Sequence, residues 1–132
     1  MSTRFFTRHA ARSLVAAAVL TACGGDSTEP CIALPCPLPI AVTLAVVSSS
    51  SATPLSSVFV TVSGAATGSG LCSSGTVADC IVSGYGGTYQ LDVGAPGFQT
   101  VHRTVVVTET PPPRCGCRTP NTQHLDLALE PA

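Results

Sequence analysis

Cysteine is the residue best placed to do chemistry in this chain of 132 residues, which carries seven. Cys31, Cys36, Cys72, Cys80, Cys115 and Cys117 stand in the body of the sequence, and Cys23 stands apart behind an apolar run. Cys115-Gly116-Cys117, together with Cys31, Cys36 or His124, offers soft ligands of the type copper or zinc accepts. Paired Cys-x-x-Cys spacing of the zinc type is absent, however, and an even set of six suits three disulfides in an oxidising compartment. The six are therefore taken as disulfide candidates, with no metal or other cofactor assigned. Six cysteines allow 15 connectivities. Cys72 and Cys80 close a short loop holding Ser73, Ser74 and Gly75, which favours pairing them. Cys115 and Cys117 share one side of an extended backbone. That arrangement suits bonds outward to Cys31 and Cys36, with a strained Cys115 to Cys117 bridge as the other possibility. Closing a loop of about 80–85 residues would contribute about 4–5 kcal/mol in the chain-entropy model, as an upper figure.

Two further groups invite a functional reading. His102, His124 and Asp126 could serve a hydrolase with one of the many serines, but nucleophile, base and orienting group must come within hydrogen-bond reach. No Gly-x-Ser-x-Gly turn presents a serine, so no catalytic residue is assigned and a non-enzymatic role is expected. The glycine- and serine-rich stretch 64–75, with Tyr85, could form a recognition patch at one end of a β-domain. Such stretches also serve simply as connections, and binding residues stay unassigned.

The elements that carry these residues begin with a targeting segment at 1–22. Arg4, Arg8 and Arg12 charge its front, an apolar stretch covers 14–20, and small residues close it. The apolar stretch falls short of the roughly 20 residues of a spanning helix. Leu20-Thr21-Ala22-Cys23 resembles the lipobox of bacterial lipoproteins. That resemblance implies cleavage before Cys23, a diacylglyceryl group on its thiol, and lasting attachment to membrane lipid. Two or more acyl chains hold a protein stably where one holds marginally. Gly24 after the cysteine implies sorting to the outer membrane of the cell envelope, on its periplasmic or surface face.

Residues 23–39 follow as a tether, in which Pro30, Pro35, Pro37 and Pro39 favour extended chain. The mature charge is low and acidic, with Arg103, Arg114 and Arg118 against seven carboxylates and no lysine. Clustered cations for phosphate are therefore lacking, which excludes nucleic acid as a partner. Residues 40–132 read as one domain of short strands without a helical period. Ile40, Val42, Leu44 and Val46 form one alternating row, Val58, Val60 and Val62 a second, and Tyr89, Leu91 and Val93 a third. A short strand is expected over 76–82 and a bent or split one over 99–108. Leu125, Leu127 and Leu129 close the series, opposite polar His124, Asp126 and Glu130. This pattern predicts an all-β, antiparallel two-sheet sandwich of about seven strands.

Thr53-Pro54-Leu55 ahead of a valine strand, Gly87-Thr88-Tyr89-Gln90-Leu91-Asp92-Val93 and Ala95-Pro96-Gly97-Phe98 together resemble the carboxypeptidase regulatory-like domain. The resemblance implies a transthyretin- or prealbumin-like sandwich, immunoglobulin-like in its two-sheet architecture, without catalytic residues. It departs from the usual pattern in lacking an Asp-Gly turn before the tyrosine strand and in carrying an extra cysteine loop. The sequence reading is thus a lipid-anchored structural or binding module of the cell envelope, meeting an envelope protein or glycan. The alternative is a periplasmic lipoprotein that handles copper or zinc through its cysteine pairs.

Overall fold

The computed structural model describes Cys31, residues 35–73 and residues 79–132. The expected signal segment 1–22, Cys23 and the front of the tether lie outside the described residues. Cys31–Ala132 forms one compact unit. Among the described residues the regular structure is entirely β.

Among the described residues ten strands form in chain order: β1 (Ile40–Ser48), β2 (Phe59–Gly64), β3 (Gly68–Ser69), β4 (Leu71–Cys72), β5 (Asp79–Ser83), β6 (Gly87–Gly94), β7 (Val101–Val107), β8 (Glu109–Thr110), β9 (Thr119–Pro120) and β10 (Gln123–Leu129). Sheet A has the order β10-β1-β5-β4 and sheet B the order β3-β2-β6-β7, while β8 and β9 pair separately. The alternation read from sequence sets which face is buried. Val42, Leu44 and Val46 of β1 meet Leu127 and Leu129 of β10 and Val82 and Cys80 of β5 on the inner face of sheet A. Val60, Val62, Tyr89, Leu91, Val93, Val105 and Val107 supply the inner face of sheet B, and one apolar cluster joins the two.

Three features differ from the sequence expectation. First, the sandwich is not wholly antiparallel: β10 runs parallel to β1, with Leu44 opposite Leu125 and Val46 opposite Leu127. Parallel neighbours need a long connection, and all of sheet B lies in the chain between them. Second, Ile40 leaves the buried row and is 38% exposed, because the register shifts between Ile40 and Val42 and buries Ala41 instead. A bulge of this kind turns one residue to the other face. Third, the 64–75 stretch is more than a loop: β3 pairs with β2 and β4 pairs with β5, so the chain crosses from sheet B to sheet A here. Gly70 sits at the crossing, where a Cβ would lie 3.0 Å from the Val60 Cβ and 3.2 Å from the Ile81 carbonyl oxygen. Glycine permits that close passage.

The 99–108 run, expected to be bent or split, holds a single continuous strand. β7 pairs along β6 without interruption from Val101 to Val107, and β8 begins only beyond the run, at Glu109. Of the 76–82 strand, the described part belongs to β5.

Candidate functional site

The residues with chemical potential gather chiefly at the end of the sandwich where β5 turns into β6. Tyr89 is fully buried, and its hydroxyl finds a partner by donating to the Tyr85 carbonyl. Gly84 lies so close to that hydroxyl that a Cβ would strike it. This anchored turn presents the Gly86 N–H, which donates to Glu109 Oε1 at 2.7 Å. Arg118 closes the cluster with two bonds to the same carboxylate, Nη2 to Oε1 at 2.6 Å and Nε to Oε2 at 3.1 Å. Its guanidinium also sits 4.3 Å from the centroid of the Tyr85 ring, a cation–π contact.

Charge follows geometry in this cluster. The Arg118 hydrogen bonds, and then the Gly86 N–H, hold the Glu109 carboxyl below the usual carboxylate range. Burial, reinforced by Glu109 and opposed by Arg118, pushes the Tyr89 phenol up. Both groups are thereby fixed, anionic and neutral, near neutral pH.

Beside the cluster lie two disulfides. Cys31 joins Cys115 and Cys36 joins Cys117, with sequence separations of 84 and 81. Pro113 accepts the Gly116 N–H at 2.7 Å, and Cys115 takes a positive φ of 66°. The resulting turn lets both cysteines bond outward to the chain ahead of β1. Cys72 and Cys80 pair across β4 and β5, where they are directly opposed. The four cysteine ligands of the metal-handling alternative, Cys31, Cys36, Cys115 and Cys117, are therefore oxidised in pairs and present no thiolate. Among the described residues, no group of three His, Cys, Asp or Glu side chains is placed to hold a metal ion.

The histidines are not brought together. His102 pairs with Asp92 across β6 and β7 on the outer face of sheet B. His124 lies on the outer face of sheet A, where Nδ1 meets Thr43 Oγ1 at 2.8 Å and Nε2 meets Asp126 Oδ1 at 3.1 Å. This is a hydroxyl–imidazole–carboxylate chain, but on an open sheet face. His124 and Asp126 side chains are 59% and 83% exposed. Acyl transfer also needs N–H donors aimed at a developing oxyanion. β1 lies between two strands, and its ladders on both sides occupy the backbone around Thr43.

No family model, curated protein or solved structure matches the chain.

Sequence reasoning singled out Tyr85 but missed Glu109, Arg118 and Gly86. Positions 109 and 118 meet only because β8 and β9 pair, Glu109 opposite Pro120. No local pattern announces that pairing. The available signal was Arg118 following Cys117, a cation kept beside a cysteine that must bond across the domain. The arrangement is a polar, hydrogen-bonded and disulfide-bound end to the sandwich.

Proposed function

We propose that this chain is a lipid-anchored lipoprotein of the bacterial cell envelope, whose β-sandwich is a non-catalytic structural or binding module. One observation carries the reading: the six body cysteines pair among themselves, which leaves Cys23 of Leu20-Thr21-Ala22-Cys23 as the odd thiol. An unpaired cysteine in an exported chain calls for another use. At the end of a targeting segment that use is acylation.

In this reading Cys23 carries the acyl chains, and the disulfides at Cys31 and Cys36 bind the end of the tether to the domain. The sandwich is then displayed from a short leash in the outer membrane, on its periplasmic or surface face, toward an envelope protein or glycan. The finer fold is that of a carboxypeptidase regulatory-like, transthyretin-type domain. Counting β3 and β4 as one interrupted strand and setting aside the β8–β9 pair leaves about seven principal strands, in keeping with that type.

Cell fractionation of the wild type and Cys23→Ser tests the anchor. The wild type is expected in the detergent phase and resistant to high salt, and the variant in the aqueous phase or retained as precursor. Equal distribution of the two would remove the proposal.

A further inference from the structure

Arg114-Cys115-Gly116-Cys117-Arg118 places two bridges on one short stretch with an arginine at either side. Cys31, Cys36 and Cys115 are exposed and Cys117 half-buried. The third bridge is less accessible: Cys80 is 0% exposed and Cys72 is half-buried, where β4 pairs with β5. Exchange begins with a thiolate reaching a disulfide sulfur, and it is faster when the departing thiolate is stabilised by nearby cations. Arg114 adjoins Cys115. Arg118 follows Cys117, and its guanidinium is held by both oxygens of Glu109. Cys115 is also held at a φ of 66°, a conformation that a side chain other than glycine adopts at a cost.

We propose that Cys115-Gly116-Cys117 is a thiol-exchange site, at which an external dithiol opens the Cys31–Cys115 and Cys36–Cys117 bridges ahead of Cys72–Cys80. A thiolate of the dithiol attacks one sulfur of a bridge. A mixed disulfide forms, and the other cysteine leaves as a thiolate that takes up a proton. The second thiol of the reagent then closes onto the first, expelling the remaining cysteine thiolate. Each bridge opened thus reduces two cysteines and oxidises one dithiol to its disulfide. The consequence is release of Cys31 and Cys36 from Cys115 and Cys117. Reducing conditions would thereby control how tightly the sandwich is held together and how closely it is held to the chain before it.

The full chain, purified in oxidised form, is exposed to limiting dithiothreitol in one arm and to a reduced thioredoxin-type dithiol protein in another. Freed thiols are then alkylated, and the digest is weighed without further reduction. The first labelled molecules should carry label on Cys31 and Cys115 or on Cys36 and Cys117, with Cys72 and Cys80 unlabelled. Where both outer bridges remain intact, labelling of Cys72 and Cys80 should lag, because Cys80 is fully buried and only the half-buried Cys72 offers a sulfur without local opening of β4 from β5. Opening in both arms makes a protein dithiol a competent source, and opening by dithiothreitol alone limits the source to small dithiols. Label on Cys72 and Cys80 in molecules with intact outer bridges overturns the proposal. So does opening of all three bridges only as the β signal is lost. Anchoring is judged separately, from the mass of the Cys23 peptide in the same digest.

Discussion

Removing the two outer bridges one at a time and together should give strongly non-additive losses. Cys31–Cys115 and Cys36–Cys117 close nearly the same long loop, with separations of 84 and 81. While either remains, the long loop stays closed. Loss of one bridge then frees only the ring formed by residues 31–36 and 115–117, about nine residues, worth about 2.6 kcal/mol in the chain-entropy model. Loss of both also frees the long loop and raises the cost to about 7 kcal/mol. The joint loss therefore exceeds twice the single loss by about 2 kcal/mol, a coupling well above the usual error of additivity. Each kcal/mol lowers Tm by about 4–8 °C in a domain of this size, so each single-bridge variant should melt about 10–20 °C lower. The variant lacking both should lose about half or more of the roughly 5–15 kcal/mol an ordinary domain holds. Urea unfolding of Cys31→Ser/Cys115→Ser, Cys36→Ser/Cys117→Ser and the fourfold variant, followed by far-UV circular dichroism, measures all three. Losses that merely add would refute the reasoning, as would single variants that each fall as far as the fourfold one.

The end cluster supplies three more tests. Gly84→Ala drives a methyl group into the Tyr89 hydroxyl and should destabilise by about 1–3 kcal/mol, read as a lower denaturation midpoint with unchanged slope. Tyr89→Phe removes the bond to the Tyr85 carbonyl and should cost about 1 kcal/mol at neutral pH. The raised Tyr89 pKa means that wild-type stability falls as pH climbs past the ordinary phenol value, where only the unfolded chain ionises; melting curves of the variant should show a shallower alkaline decline. Glu109→Gln acts at the opposite end of the scale. The lowered Glu109 pKa contributes stability that is present above the ordinary carboxylate range and lost as pH falls through the folded value. The variant should be weaker than wild type at neutral pH and should converge on it in acid.

Much of the fold was legible because period-two patterning and burial coincide. Tyr89, Leu91 and Val93, and Leu127 with Leu129, point inward as their alternation requires. The parallel β1–β10 pairing was not legible, since alternation specifies a face and not a neighbour or a direction. Ile40 misled for a related reason: a bulge moves one residue without altering the pattern. Gly70 and its neighbours read as loop because two-residue strands are too short to show a period. At the candidate site, the spacing of Cys115 and Cys117 pointed to outward bonds. By contrast, the meeting of Glu109 with Arg118 depends on a hairpin of two-residue strands around a proline- and cysteine-rich turn. Its pairing is enforced by tertiary contacts, so the sequence around it carries little signal.

The most direct test of the central proposal is the intact mass and amino-terminal sequence of the chain extracted from its native membrane in detergent. A mature product beginning at Cys23, heavier than the unmodified polypeptide by a diacylglyceryl group, with or without a further acyl chain on its amino group, is the predicted result. A product that starts at another residue, or begins at Cys23 with the unmodified mass, would contradict it.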